Sequence, residues 1–251
     1  MKSIASITLS LTVVFQTFGD GTTINVDFQP GPNGHKFSAN YVGRGVLSAD
    51  SNELWNAVMP PVAGYDSTWG SGGNFNFDGN FVSEPLFDSA GQITPVTVTI
   101  HSGPPLGTTF AVNPSNTWAY NHVASDAQNL MSDYLIAPGG STNRIQIKNL
   151  TPGSVCTLVL FGAGDQSTHR TTFMVGTQTL TTAGVPEEIH TITEGGDYVV
   201  FRNIAVADGT LEVFYTGAGS SRDGNFNGLQ IMGQWTTSLD AEKQDKDDPK
   251  P

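Results

Sequence analysis

The chain of 251 residues holds a single cysteine, Cys156, so no disulfide can form within it and the fold must rest on its core. Charge is also scarce, at 14% of residues, and the 11 basic side chains are outnumbered by 23 acidic ones. That balance argues against nucleic acid, an anionic membrane or a strongly anionic polymer as partner. After the first nineteen residues, no apolar run is long enough to span a bilayer. Common catalytic patterns are missing too. There is no nucleophile elbow, no phosphate loop and no histidine pair at metal spacing, since His35, His101, His122, His169 and His190 are scattered.

What is abundant points to strands and turns: 29 glycines and 14 prolines accompany many Thr, Ser and Asn residues. Residues 1–19 read as a signal peptide, with Lys2 ahead of the apolar stretch Ile4 to Phe15 and small residues Thr17 and Gly19 before Asp20. The reading implies a secreted protein, extracellular or periplasmic. One domain is expected over 20–236. The acidic tail, 237–251, has almost no apolar side chain to bury and is expected to be disordered.

Strand-like runs recur with turns between them: Thr22 to Phe28, Val96 to His101, Arg144 to Leu150, Val155 to Phe161, Thr171 to Val175, Tyr198 to Ile204, Thr210 to Tyr215 and Leu229 to Trp235. This spacing is that of an all-β sandwich. Polar and apolar residues alternate strictly through Arg144 to Leu150, as one wet face requires. Both faces of the Cys156 strand are apolar, which makes that thiol a small buried hydrophobe. Asp208-Gly209 predicts a hairpin between Phe201 to Val206 and Leu211 to Tyr215. Ser125 to Leu135 is the one candidate helix, with Leu130, Tyr134 and Leu135 on a common face. Pro60 to Gly91 and Ser102 to Trp118 read as long loops across one end of the sandwich.

Ile24-Asn25-Val26-Asp27-Phe28, Leu150-Thr151-Pro152-Gly153 (read as a hairpin), Leu158-Val159-Leu160-Phe161-Gly162 and Asn227-Gly228-Leu229-Gln230-Ile231 together resemble galactose-binding-like jelly-roll domains. They are especially similar to those on exported proteins of polysaccharide-degrading bacteria, over roughly Thr22 to Trp235. The resemblance implies a jelly-roll β-sandwich with long loops and at most one short helix, its first and last strands adjacent. It also implies a polysaccharide or glycan as partner.

Sugar recognition needs flat rings beside convergent hydrogen-bonding groups. Trp69, Trp118 and Tyr120 lie in polar, loop-like surroundings and are the candidate platforms. Asp165, His169 and Arg170, in the loop after the Cys156 strand, and Arg222 are the candidate polar contacts. Trp69, Trp118 and the Asp165 to Arg170 loop are expected to form one exposed patch, whereas Trp55 and Trp235 look like core. Two Asn/Asp/Gly loops place oxygen-bearing side chains at alternate positions, nominating Asp78, Asp223, Asn225 and Asn227 for a structural calcium. A non-catalytic carbohydrate-binding module is the expected function. A carbohydrate-active hydrolase or lyase using carboxylates such as Asp165 and Asp223, or a structural surface or matrix protein, are the alternatives.

Overall fold

The computed structural model describes residues 23–29, 40–47, 52–58, 73–76, 80–101, 109–112, 121–164, 166–184, 186, 188–219 and 223–235. The expected signal peptide and acidic tail lie outside them. Strands are numbered in chain order. The first sheet contains β1 (Thr23–Phe28), β2 (Tyr41–Gly43), β3 (Glu53–Val58), β10 (Val155–Phe161), β13 (Tyr198–Ala205) and β16 (Gly228–Met232), in the order β13-β10-β16-β1-β3-β2. The second contains β5 (Asn80–Val82), β6 (Thr97–His101), β9 (Thr142–Lys148), β11 (Thr171–Val175), β12 (Gln178–Thr181) and β14 (Leu211–Gly217), in the order β12-β11-β14-β9-β6-β5. A smaller sheet, β15-β8-β7-β4, combines β4 (Gly73–Asn76), β7 (Thr109–Val112), β8 (Asp133–Ala137) and β15 (Gly224–Phe226).

From β9 onward the chain passes repeatedly from one large sheet to the other, and β16 returns to pair with β1, Val26 opposite Leu229. This is a jelly-roll β-sandwich with its first and last strands adjacent. Pairing is antiparallel throughout the large sheets except between β1 and β3, which run parallel.

Period-two patterning builds the core. In β9 the burial alternates residue by residue, sending Ile145 and Ile147 inward while Arg144, Gln146 and Lys148 face outward. Ile24, Val26, Phe28, Leu158, Leu160, Leu229 and Ile231 of the first sheet share one core with Ile145, Ile147, Phe173, Val213 and Tyr215 of the second. Phe226 closes one end, its ring edge-to-face with Phe28, Phe173 and Tyr215 at centroid distances of 5.0, 4.9 and 5.2 Å. Trp55 is buried and Trp235 packs against the core. Burial pushes the Cys156 thiol up to about 12, as an inert buried residue requires.

Three sequence expectations need correction. Ser125 to Leu135 is not a helix: 125–131 is a run of turns with one i to i+4 bond, from the Met131 amide to Ala127, and Asp133–Ala137 is a strand. Ser, Asp and Asn favour turns over helix there, and β8 is claimed by hydrogen bonds to both β7 and β15. Asp208-Gly209 does not close a hairpin, because β13 and β14 lie in different sheets. Thr151 to Ser154 likewise links β9 to β10 across the sandwich. These two corners bond each other instead, through the Leu150 amide to Gly209 at 3.1 Å and the Gly153 amide to Val206 at 2.7 Å. Finally, the stretches read as loops contribute β4, β5 and β7.

Candidate functional site

The first sheet has a second face, turned away from the sandwich core. Alternation along β13 sends Val199 and Phe201 to the core, while Tyr198, Val200 and Arg202 turn outward. On β10, Leu158 and Leu160 go in, and Thr157, Val159 and Phe161 go out. A second apolar cluster forms on this outer face, where Trp55, Val159, Phe161 and Val200 meet Val123, Ala127, Leu130 and Met131 of the 121–131 segment. That segment covers only part of the face.

Beside it runs a groove of two adjoining hollows, about 190 and 260 Å³ in volume. Arg44, Asp126, Thr191 and Ile192 line the first, while Thr157, Glu194, Arg202 and Asn203 line the second. Val46 and the half-buried Tyr198 line both.

Charged pairs stand at both ends. Arg44 Nη1 lies 3.9 Å from Asp126 Oδ2, and Arg202 binds Glu194 through two parallel bonds, 2.9 and 3.0 Å. Hydrogen bonds from Arg202 hold the Glu194 carboxyl below its ordinary pKa. Burial, with the nearby Glu194 and Asp197 charges, pushes the Tyr198 phenol above its own. Tyr198 therefore keeps its proton and can donate it in a hydrogen bond.

The walls are fixed from below. Glu53 is buried and accepts bonds from Asn25 Nδ2 at 2.8 Å and Gln230 Nε2 at 3.1 Å, and Gln230 Oε1 in turn takes the Val46 amide at 2.7 Å. Gly45 fits over this network because it lacks a Cβ, which would strike the Glu53 carboxylate and the Gln230 amide. On the opposite wall, His190 Nε2 lies 3.0 Å from the buried Asp197 Oδ1, and Asp197 Oδ2 accepts the Thr193 amide at 2.8 Å.

None of the described residues nominated from sequence lines this groove. Trp69, Trp118, Tyr120, Asp165, Arg222 and Asp78 lie outside the described residues, and with them the expected shared patch. Arg170 is exposed. His169 Nδ1 sits 3.0 Å from Asn225 Nδ2, so the loop after β10 does meet the Asn/Asp/Gly loop late in the chain. Of the three described calcium candidates, Asp223 and Asn227 use their side-chain oxygens within the fold, whereas Asn225 Oδ1 is buried without a partner. Asp223 Oδ1 accepts the Gly139 amide at 2.9 Å, and Asn225 is buried against His169. Asn227 accepts the Ala163 amide at 2.8 Å and donates to the Asp133 carbonyl at 2.9 Å. Among the described residues no three His, Cys, Asp or Glu side chains gather as a metal cluster would.

The groove residues carried a readable signal that composition hid. Tyr198, Val200 and Arg202 stand at alternate positions of a single strand, which puts them on one face of it.

The fold and groove define a β-sandwich with a hydrogen-bonding cleft on one outer sheet face. No protein-family model matches the sequence, and no curated protein does. Among solved structures, the chain is similar to the CBM36-1 domain of a multidomain xylanase from the hindgut metagenome of Trinervitermes trinervoides, at 14% identity and a TM-score of 0.30, covering 41% of this chain and 79% of that one. It is also similar to TmCBM61 in complex with beta-1,4-galactotriose, at 10% identity and a TM-score of 0.28, covering 55% of this chain and 88% of that one.

Proposed function

We propose that this protein is an exported, non-catalytic carbohydrate-binding module that holds a glycan chain along the groove at Tyr198. The observation that carries the reading is the composition of that groove. One partly exposed aromatic ring stands between two Arg–carboxylate pairs, with Thr157, Thr191 and Asn203 along the walls. Sugars present C–H faces to aromatic rings and hydroxyls that both donate and accept. A groove lined by neutral polar groups and internally compensated charges suits a neutral polymer better than an ionic one. Arg202 and Glu194 hold each other in place before any ligand arrives, which lowers the ordering cost of binding.

Trp69, Trp118 and Tyr120 stay in the proposal as further platforms, and Asp165, His169, Arg170 and Arg222 as further polar contacts. The groove stands independently of them. The test is glycan-array screening of the full chain, followed by affinity electrophoresis on the best ligand with Tyr198→Ala and Trp118→Ala in parallel. Tyr198→Ala is expected to weaken retention about tenfold, the loss of one ring contact of ~1–1.5 kcal/mol. Wild-type retention by Tyr198→Ala would move the site away from the groove, and release of reducing sugar by the wild type would replace binding with hydrolysis.

A further inference from the structure

The far wall of the groove is the stretch 190–193, which supplies Thr191 and Ile192 to the first hollow. Regular pairing in it is limited to one bridge, between His190 and Val123. Its backbone is tied to the 121–131 segment: the His190 amide donates to the His122 carbonyl at 3.0 Å, and the Ala124 amide to the His190 carbonyl at 2.8 Å.

The side-chain tie runs the other way, toward β13. His190 Nε2 lies 3.0 and 3.1 Å from the two carboxylate oxygens of Asp197, and Nδ1 lies 3.2 Å from the Glu188 carbonyl oxygen. Asp197 is fully buried, and its Oδ2 also accepts the Thr193 amide at 2.8 Å and the Thr193 hydroxyl at 3.3 Å. Its own carbonyl takes the Gly162 amide at 2.9 Å, which fixes it to the end of β10. A buried carboxylate calls for a countercharge. Among the described residues, His190 is the side chain within ion-pair reach that can supply one.

Both ring nitrogens of His190 therefore face oxygen acceptors. A neutral imidazole carries one N–H and serves one of them, whereas the imidazolium donates to both. On the reading of the groove as a glycan site, we infer that His190 is a positioning residue which braces the Thr191–Ile192 wall in its imidazolium form, so that a glycan is held more tightly as the pH falls from neutral. Loss of the second proton gives up one of the two bonds and leaves the wall held mainly by its backbone. The titratable neighbours are Asp197 and Glu188 on the same stretch of chain and His122 on the segment bridged to it. Arg44 pairs with Asp126 across the first hollow, and Arg202 holds Glu194. Linkage makes the effect reciprocal: a glycan that prefers the braced wall promotes proton uptake by the same factor as the proton promotes binding.

The experiment is calorimetric titration of the full chain with its best array glycan between about pH 8 and about pH 5.5, the range in which histidine changes charge. Affinity should be about fivefold higher at the acid end, the low end of coupling between linked sites. His190→Gln keeps a donor for Asp197 but takes up no proton, and it should bind at every pH as the wild type does at the alkaline end. His122→Gln and His101→Gln should keep the wild-type profile. In the free protein, the His190 ring nitrogens and the backbone amides of Thr191, Ile192 and Thr193 should titrate together in nuclear magnetic resonance spectra, and those amides should stay still in His190→Gln. A wild-type affinity that does not change with pH overturns the inference. So does a pH dependence that survives in His190→Gln or disappears in His122→Gln, or a set of wall amides that do not follow the ring. The amide titration needs no glycan and is read on folded wild type. It decides whether His190 braces the wall even where a variant folds poorly, while failure of every glycan to bind would defeat the reading of the groove itself.

Discussion

Tyr198 rests on Phe161, ring centroids 5.5 Å apart and planes tilted by 52°. The floor of the groove is thus continuous with the apolar cluster that backs the first sheet. Replacing Tyr198 with Phe keeps that packing and removes only the hydroxyl. The variant should melt within a degree or two of wild type, as is usual for changes that disturb no core contact. It should lose only a few-fold in glycan affinity, against about tenfold for Tyr198→Ala. Calorimetric titration of both variants separates the hydroxyl from the ring.

Gly45→Ala tests whether the near wall of the groove depends on the buried network beneath it. The new methyl would meet Glu53 and Gln230 side chains that already bond to Asn25 and to Val46. Overpacking of this sort costs about 1–3 kcal/mol. We expect a lower denaturation midpoint together with weaker glycan binding, because Arg44 and Val46 move with the wall. Unchanged values for both would show that the wall is not held this way.

Phe226 should be among the most costly side chains to truncate. It is fully buried and touches three other rings from both large sheets. Phe226→Ala is expected to cost about 3–5 kcal/mol, measured by urea denaturation, with glycan affinity unchanged while the protein remains folded. The groove lies on the outer face of the first sheet and does not use this ring.

His101 gives the fold a defined response to acid. Burial lowers its pKa from 6.5, and the Arg144 and Lys148 cations add to the effect against the bond to Gln146. Because the folded value lies below the unfolded one, the unfolded chain binds more protons in the window between them. His101 therefore contributes its full stability above pH 6.5 and loses it as the pH falls toward the folded value. The difference in melting temperature between wild type and His101→Gln, followed from neutral into mild acid, should shrink as the pH drops. A constant difference would contradict this.

The sequence by itself determined the strands and their inward faces, since period-two alternation needs nothing beyond its neighbours: Thr171–Val175 and Val155–Phe161 were legible to the residue. It also marked Cys156 as inert and Trp55 as core. Sheet membership was decided only by tertiary structure. An Asp-Gly turn such as Asp208-Gly209 joins two strands equally well within a sheet or across a sandwich, because the turn fixes chain reversal and not the partner strand. The fate of Ser125 to Leu135 was decided the same way, by unpaired edges of β7 and β15 that took up Asp133–Ala137. Long-range assembly also made the groove. Arg44, Asp126, Tyr198 and Arg202 are far apart in sequence, and local pattern carries no distance between residues whose approach depends on which strands pair.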